Sequence, residues 1–118
     1  PETRFSAWIA MVGEKRGHEV AREWIIPGTS HATDAAWKTG ATRHVFEVAV
    51  TATQNLSGHV RAAMADGREC VSRLTIVAPR LAMLEEIQRQ LASDPDVSGL
   101  LGQVDFVPVE VFEKEIWR

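Results

Sequence analysis

The sequence predicts an α/β domain, a central mixed β-sheet of about five strands with helices on both sides. Three observations carry that expectation. Segments with helical apolar spacing alternate with short runs rich in β-branched residues. Two of those runs lie a few residues apart and so form a hairpin, while the later ones are joined by a helical segment, which implies a right-handed crossover. Finally, 118 residues that are 45% hydrophobic and 25% charged suffice for one core and not for two ordinary domains. Residues 1–118 are therefore expected to fold as a single unit, and the start at Pro1 suggests a piece of something longer.

Phe5, Trp8, Ile9 and Val12 recur at helical spacing, so residues 3–16 read as an amphipathic helix that Gly17 closes. Val20 to Ile26 mixes β-branched and aromatic side chains and stops at Pro27-Gly28, which marks a strand and a turn. Asp34 to Trp37 is a short extended arm, Lys38-Thr39-Gly40 is a turn, and His44 to Thr51 is the clearest strand. Leu56, Val60 and Met64 stand four apart and give residues 55–65 one apolar helix face, ended by Asp66-Gly67. Arg73 to Ala78 reads as an interior strand, residues 81–91 as a helix, Val104 to Val109 as a last strand, and Glu110 to Trp117 as a short closing helix.

Composition narrows the function. A net charge of −3 argues against coating nucleic acid by bulk charge. No apolar run approaches the roughly 18 residues of a membrane span. The lone Cys70 makes neither an intramolecular disulfide nor a zinc site, which fits a reducing cytoplasm. There is no phosphate-binding G-x-x-x-x-G-K-[ST] loop.

The chemistry concentrates around the hairpin. Glu47 is a charge set between apolar neighbours on the best strand, and alternation puts Glu47, Ala49 and Thr51 on one face. A buried carboxylate needs a cation or strong donors. Asp34 opens the preceding arm, and antiparallel pairing brings it towards Glu47. Two hard carboxylates at one point favour Mg²⁺, for which Mn²⁺ substitutes.

With an initial helix, a strand, Asp34 heading a hairpin arm, Glu47 on the next strand, then helix, strand, helix and strand, the chain resembles the PD-(D/E)XK nuclease superfamily. The resemblance implies a restriction-endonuclease-like fold and Mg²⁺-assisted hydrolysis of a DNA phosphodiester bond, with Asp34 and Glu47 as metal ligands. The family's lysine, two positions after the acid, is Ala49 here. Losing one such electrostatic contributor commonly costs about 10²–10³ in rate. Lys38, His31 and Arg61 are the candidate substitutes. Glu47-Val48-Ala49-Val50-Thr51 followed by Asn55 is also similar to nuclease-fold modules joined to DNA-translocating ATPases, which implies attachment to a larger protein of that kind.

Around those two acids, His31 is a candidate general base, Thr51 and Asn55 candidate lining residues, and Arg43, Arg61, Lys38 and Asn55 candidate nucleic-acid contacts. His44 and His59 read as structural or surface residues, and Trp37 as core in preference to a base-stacking platform. Basic residues gather in the first half and acids in the second, which suggests a positive face near Asp34 and Glu47. The alternative to a nuclease is a non-catalytic DNA-binding or protein-docking module, and a third reading is a structural or homo-oligomerising domain.

Overall fold

The computed structural model describes residues 2–51 and 56–117. Its five strands are β1 (Val20–Arg22), β2 (Ala35–Thr39), β3 (Thr42–Val48), β4 (Val71–Ala78) and β5 (Val104–Pro108). They form one sheet in the order β1-β2-β3-β4-β5. The first two junctions are antiparallel and the last two parallel, so the sheet is mixed as expected. Gly40, at φ +76°, makes the tight β2–β3 turn, a backbone conformation that side chains disfavour.

Helix α1 (Glu2–Lys15) and helix α4 (Glu110–Ile116) cover one face of the sheet. Ile9, Val12, Trp37, Phe46, Val48 and Phe112 fill that layer. Helix α2 (Ser57–Arg61), which continues as a π-helical turn over Ala62–Asp66, and helix α3 (Leu81–Ala92) cover the other face. Val45, Val60, Leu74, Ile76, Leu84 and Ile87 meet there. Alternation along β3 divides the two layers: His44, Phe46 and Val48 point one way, Val45 and Glu47 the other. Trp37 is a core residue, 3% exposed, with its indole N–H donated to Ile9 O at 3.1 Å.

The structure shortens two expected strands. The first stops at Arg22 because Glu23 adopts φ +55°, which breaks the extended run. The chain from Trp24 to Thr33 then closes on itself through an isolated bridge between Ile25 and Ala32. The third stops at Val48, although Ala49 N–H still bonds Val77 O at 2.8 Å. Thr51 therefore lies beyond the strand and is exposed, so the alternation that put it on Glu47's face does not reach it. A 3₁₀ segment, Ser98–Gln103, precedes β5 without a clear sequence signal.

Candidate metal centre

A carboxylate inside a sheet layer costs several kcal/mol unless its lone pairs are satisfied. Glu47 is 2% exposed near the C-terminal end of β3, and three donors surround it. Its Oε1 accepts the Asp34 N–H at 3.2 Å. Its Oε2 is shared by His31 Nε2 and His59 Nδ1. Burial pushes the Glu47 carboxyl up, but the hydrogen bonds from His31 and His59, reinforced by their charge, hold it below the usual carboxylate range.

Each imidazole is positioned by its own local structure. His31 sits in the 24–33 loop, where Thr29 Oγ1 donates to Ile26 O at 2.8 Å and accepts the His31 N–H at 3.1 Å. Ile26 N–H bonds His31 O at 3.0 Å, and Thr33 Oγ1 reaches Trp24 O at 3.0 Å. Ile26 itself is fully buried and anchors the loop in the core. His59 lies in the first turn of α2, next to the fully buried Val60. Ser57 Oγ donates to Asp94 Oδ2 at 2.6 Å, which ties the start of that helix to the segment after α3.

The two rings meet edge to face, 4.3 Å between centroids and 70° between planes. One ligand atom from each of His31, Glu47 and His59 lies within 4.8 Å of the other two. The imidazoles are part-exposed, 20% and 31%, above a carboxylate that is not. The result is a buried carboxylate capped by two part-exposed rings, in a position where open α/β sheets bind ligands, at the carboxyl end of a strand. Two imidazoles and a carboxylate suit a borderline divalent ion, whereas Mg²⁺ favours oxygen donors and retained water.

The sequence reading set His31 near Asp34 as a candidate general base; the structure joins its ring to Glu47 and adds His59, which the sequence reads as structural or surface. Asp34 meets Glu47 through its main chain, and its carboxylate Oδ2 accepts the Val48 N–H at 2.7 Å. The three-ligand group does not include it. Lys38 pairs with Arg43 in the β2–β3 register, four residues from Glu47 along β3, or about 13 Å at strand rise. It cannot supply the missing lysine charge there. Ala49 is fully buried.

The expected phosphate contacts have other engagements. Arg43 packs its guanidinium over Trp24, 5.1 Å from the ring centroid, and its Nη1 is buried without a hydrogen-bond partner among the described residues. Arg61 Nη2 pairs with Asp96 Oδ2 at 3.1 Å. Asn55 lies outside the described residues. The charge asymmetry of the sequence is partly cancelled by folding: Arg16 Nε bonds Glu115 Oε2 at 2.7 Å, and Arg61 meets Asp96, so first-half bases face second-half acids. Among the described residues, no helix is long and apolar enough to cross a membrane.

No protein-family model matches the chain, and no curated protein matches it. Among solved structures it is similar to the crystal structure of AF1548, described as a protein of unknown function, at 14% identity and a TM-score of 0.61. The match covers 96% of this chain and 65% of that one, so the chain spans less than two thirds of that protein. At that identity the likeness shows a shared α/β fold.

Proposed function

We propose that this domain is a divalent-metal-dependent phosphodiesterase acting on DNA, with Glu47, His31 and His59 at its centre. The observation that carries the reading is a carboxylate buried to 2% exposure beneath two part-exposed imidazoles that share one of its oxygens. A glutamate is seldom so deeply buried unless partners hold its charge, and here two of those partners are imidazoles. The order of elements around Glu47, with Asp34 opposite it in the hairpin, supports the nuclease resemblance stated for the sequence.

A divalent ion at such a place supplies Lewis-acid polarisation of a phosphoryl oxygen and makes a nearby water more acidic. The protein's own groups do the rest. Glu47 provides the charge that draws a cation in, and the Asp34 N–H fixes Oε1 so that Oε2 faces the imidazoles. The Asp34 carboxylate on Val48 N–H locks the two arms of the hairpin at the level of the site. With Ala49 in the lysine position and Lys38 about 13 Å away along the strands, neither supplies positive charge beside Glu47, and a cation held by His31, Glu47 and His59 would supply it. A cytoplasmic setting fits the single free Cys70.

The test is cleavage of labelled single-stranded, duplex and branched DNA with Mg²⁺, Mn²⁺ or Zn²⁺. Glu47→Gln is expected to lower the rate at least about 10²-fold. Cleavage indifferent to that change, or no cleavage with any of the three ions, overturns the assignment.

A second reading, a module that docks onto a partner protein such as an ATPase, is favoured by apolar side chains left in solvent on and after α4. Val111 is 46% exposed and Trp117 80% exposed. Under that reading, Val111→Ser and Trp117→Ser abolish association while leaving the unfolding midpoint unchanged.

A further inference from the structure

The donor set at Glu47 departs from the all-oxygen shell that the nuclease resemblance implies, and the departure has chemical content. We infer that this protein carries a selective site for a late first-row divalent ion, Zn²⁺ foremost, whose ligands are His31 Nε2, Glu47 Oε2 and His59 Nδ1. The inference rests on the same site as the hydrolytic reading above and specifies its ion.

Three features argue for it. First, the ligand count and types: two imidazole nitrogens plus one carboxylate oxygen is the composition of hydrolytic zinc sites that keep a further position open for water or substrate. Mg²⁺ loses water reluctantly and binds nitrogen poorly, so the same three groups hold it weakly. Second, the placement: all three ligand atoms lie within 4.8 Å of one another, so one ion reaches them with small side-chain adjustments. Both rings are part-exposed, so solvent reaches the site from their side. Third, the support: Glu47 Oε1 is held by the Asp34 N–H, leaving Oε2 as the oxygen turned to the rings. Second-layer hydrogen bonds of this kind orient metal-binding carboxylates and commonly change affinity 10–100-fold.

The ligands also come from three separate elements: the loop between β1 and β2, strand β3, and the first turn of α2. A hydrogen-bonded trio kept only for stability would bury its histidines as well. Here the charge is buried while the two rings that bond it are part-exposed, the layout of a site within reach of water.

Tag-free protein, stripped with chelator and dialysed, is titrated calorimetrically with Zn²⁺ in the presence of millimolar Mg²⁺, with folding of every variant checked by circular dichroism. One Zn²⁺ per chain is expected, undisturbed by Mg²⁺, with affinity falling at least about 100-fold in His31→Ala and in His59→Ala. Because Glu47→Ala leaves a buried gap that destabilises the fold, Glu47→Gln serves as the third variant, with a similar loss. Displacement of Zn²⁺ by Mg²⁺, or zinc affinity unchanged in the histidine variants, overturns the inference. The two readings separate cleanly: tight zinc binding without DNA cleavage defeats the hydrolytic proposal and leaves the site standing, while Mg²⁺-driven cleavage indifferent to His31 and His59 defeats the site.

Discussion

Glu47 makes its one charge tolerable through three donors, and the consequences can be tested on single side chains. In metal-free protein, Glu47→Gln keeps the volume but replaces one acceptor oxygen with an amide that faces two imidazoles. A loss of about 1–2 kcal/mol in urea unfolding is expected. His44, on the opposite face of β3, gives a pH-dependent prediction of its own. Burial, then repulsion from Arg73, His18 and Arg16, lowers its pKa to about 4 from the ordinary 6.5, while its Nε2 bonds Thr75 Oγ1 at 2.7 Å. The unfolded chain takes up this proton as the pH drops through 6.5, but the folded chain does so only near 4. The unfolded state thus binds more protons in that window, so this contribution to stability is present above pH 6.5 and is lost as the pH falls towards 4. The loss is about 2 kcal/mol after allowing for the water that reaches the ring. Subtracting the His44→Leu stability curve from the wild-type curve isolates it; a flat difference between pH 6.5 and 4 contradicts the assignment.

At the level of elements, the 24–33 loop holds His31 and the first turn of α2 holds His59, and that loop packs at Ile26 against Gly67, which ends the π-helical turn continuing α2. A Cβ at Gly67 would overlap Ile26 Cγ2 and lie 2.8 Å from Ala62 O. Ile26 anchors the loop that presents His31, so Gly67→Ala is expected to destabilise the protein by about 1–3 kcal/mol. It should also weaken metal binding more than a change of equal stability cost elsewhere. Paired denaturation and calorimetry on the variant check both effects. Element by element, much of this was legible in the sequence. Helix α1 follows from the spacing of Phe5, Trp8, Ile9 and Val12, and α3 from Leu84, Ile87 and Leu91. The first strand was overestimated because Val20 to Ile26 has β propensity throughout, while Glu23 takes a left-handed backbone that composition does not reveal. The widening of α2 into a π-turn likewise has no signature in the apolar spacing, since Leu56, Val60 and Met64 read as an ordinary helix.

For the molecule as a whole, the sheet order and its two helical layers follow from the alternation of strand and helix patterns, which is why the α/β class could be read directly. The site was legible only in part. Glu47 stood out as a charge among apolar strand residues, and His31 as a polar group near Asp34. His59 did not, because its role arises only when α2 docks beside β3, a tertiary event without local trace. Folding also rewrites the electrostatics: with Arg16 on Glu115 and Arg61 on Asp96, few bases in the first half are left for phosphate. DNA binding is therefore expected to be weak, with a log–log salt slope no steeper than about −3, measured by fluorescence anisotropy. A steep slope would show a basic face that these pairings do not leave.

The most direct measurement is anomalous diffraction at the zinc edge from crystals grown with equimolar Zn²⁺. One strong peak is expected at roughly 2.0–2.2 Å from His31 Nε2, Glu47 Oε2 and His59 Nδ1. Zinc found only on surface acids, with Glu47 still bonded to both rings, would contradict a metal centre in this protein.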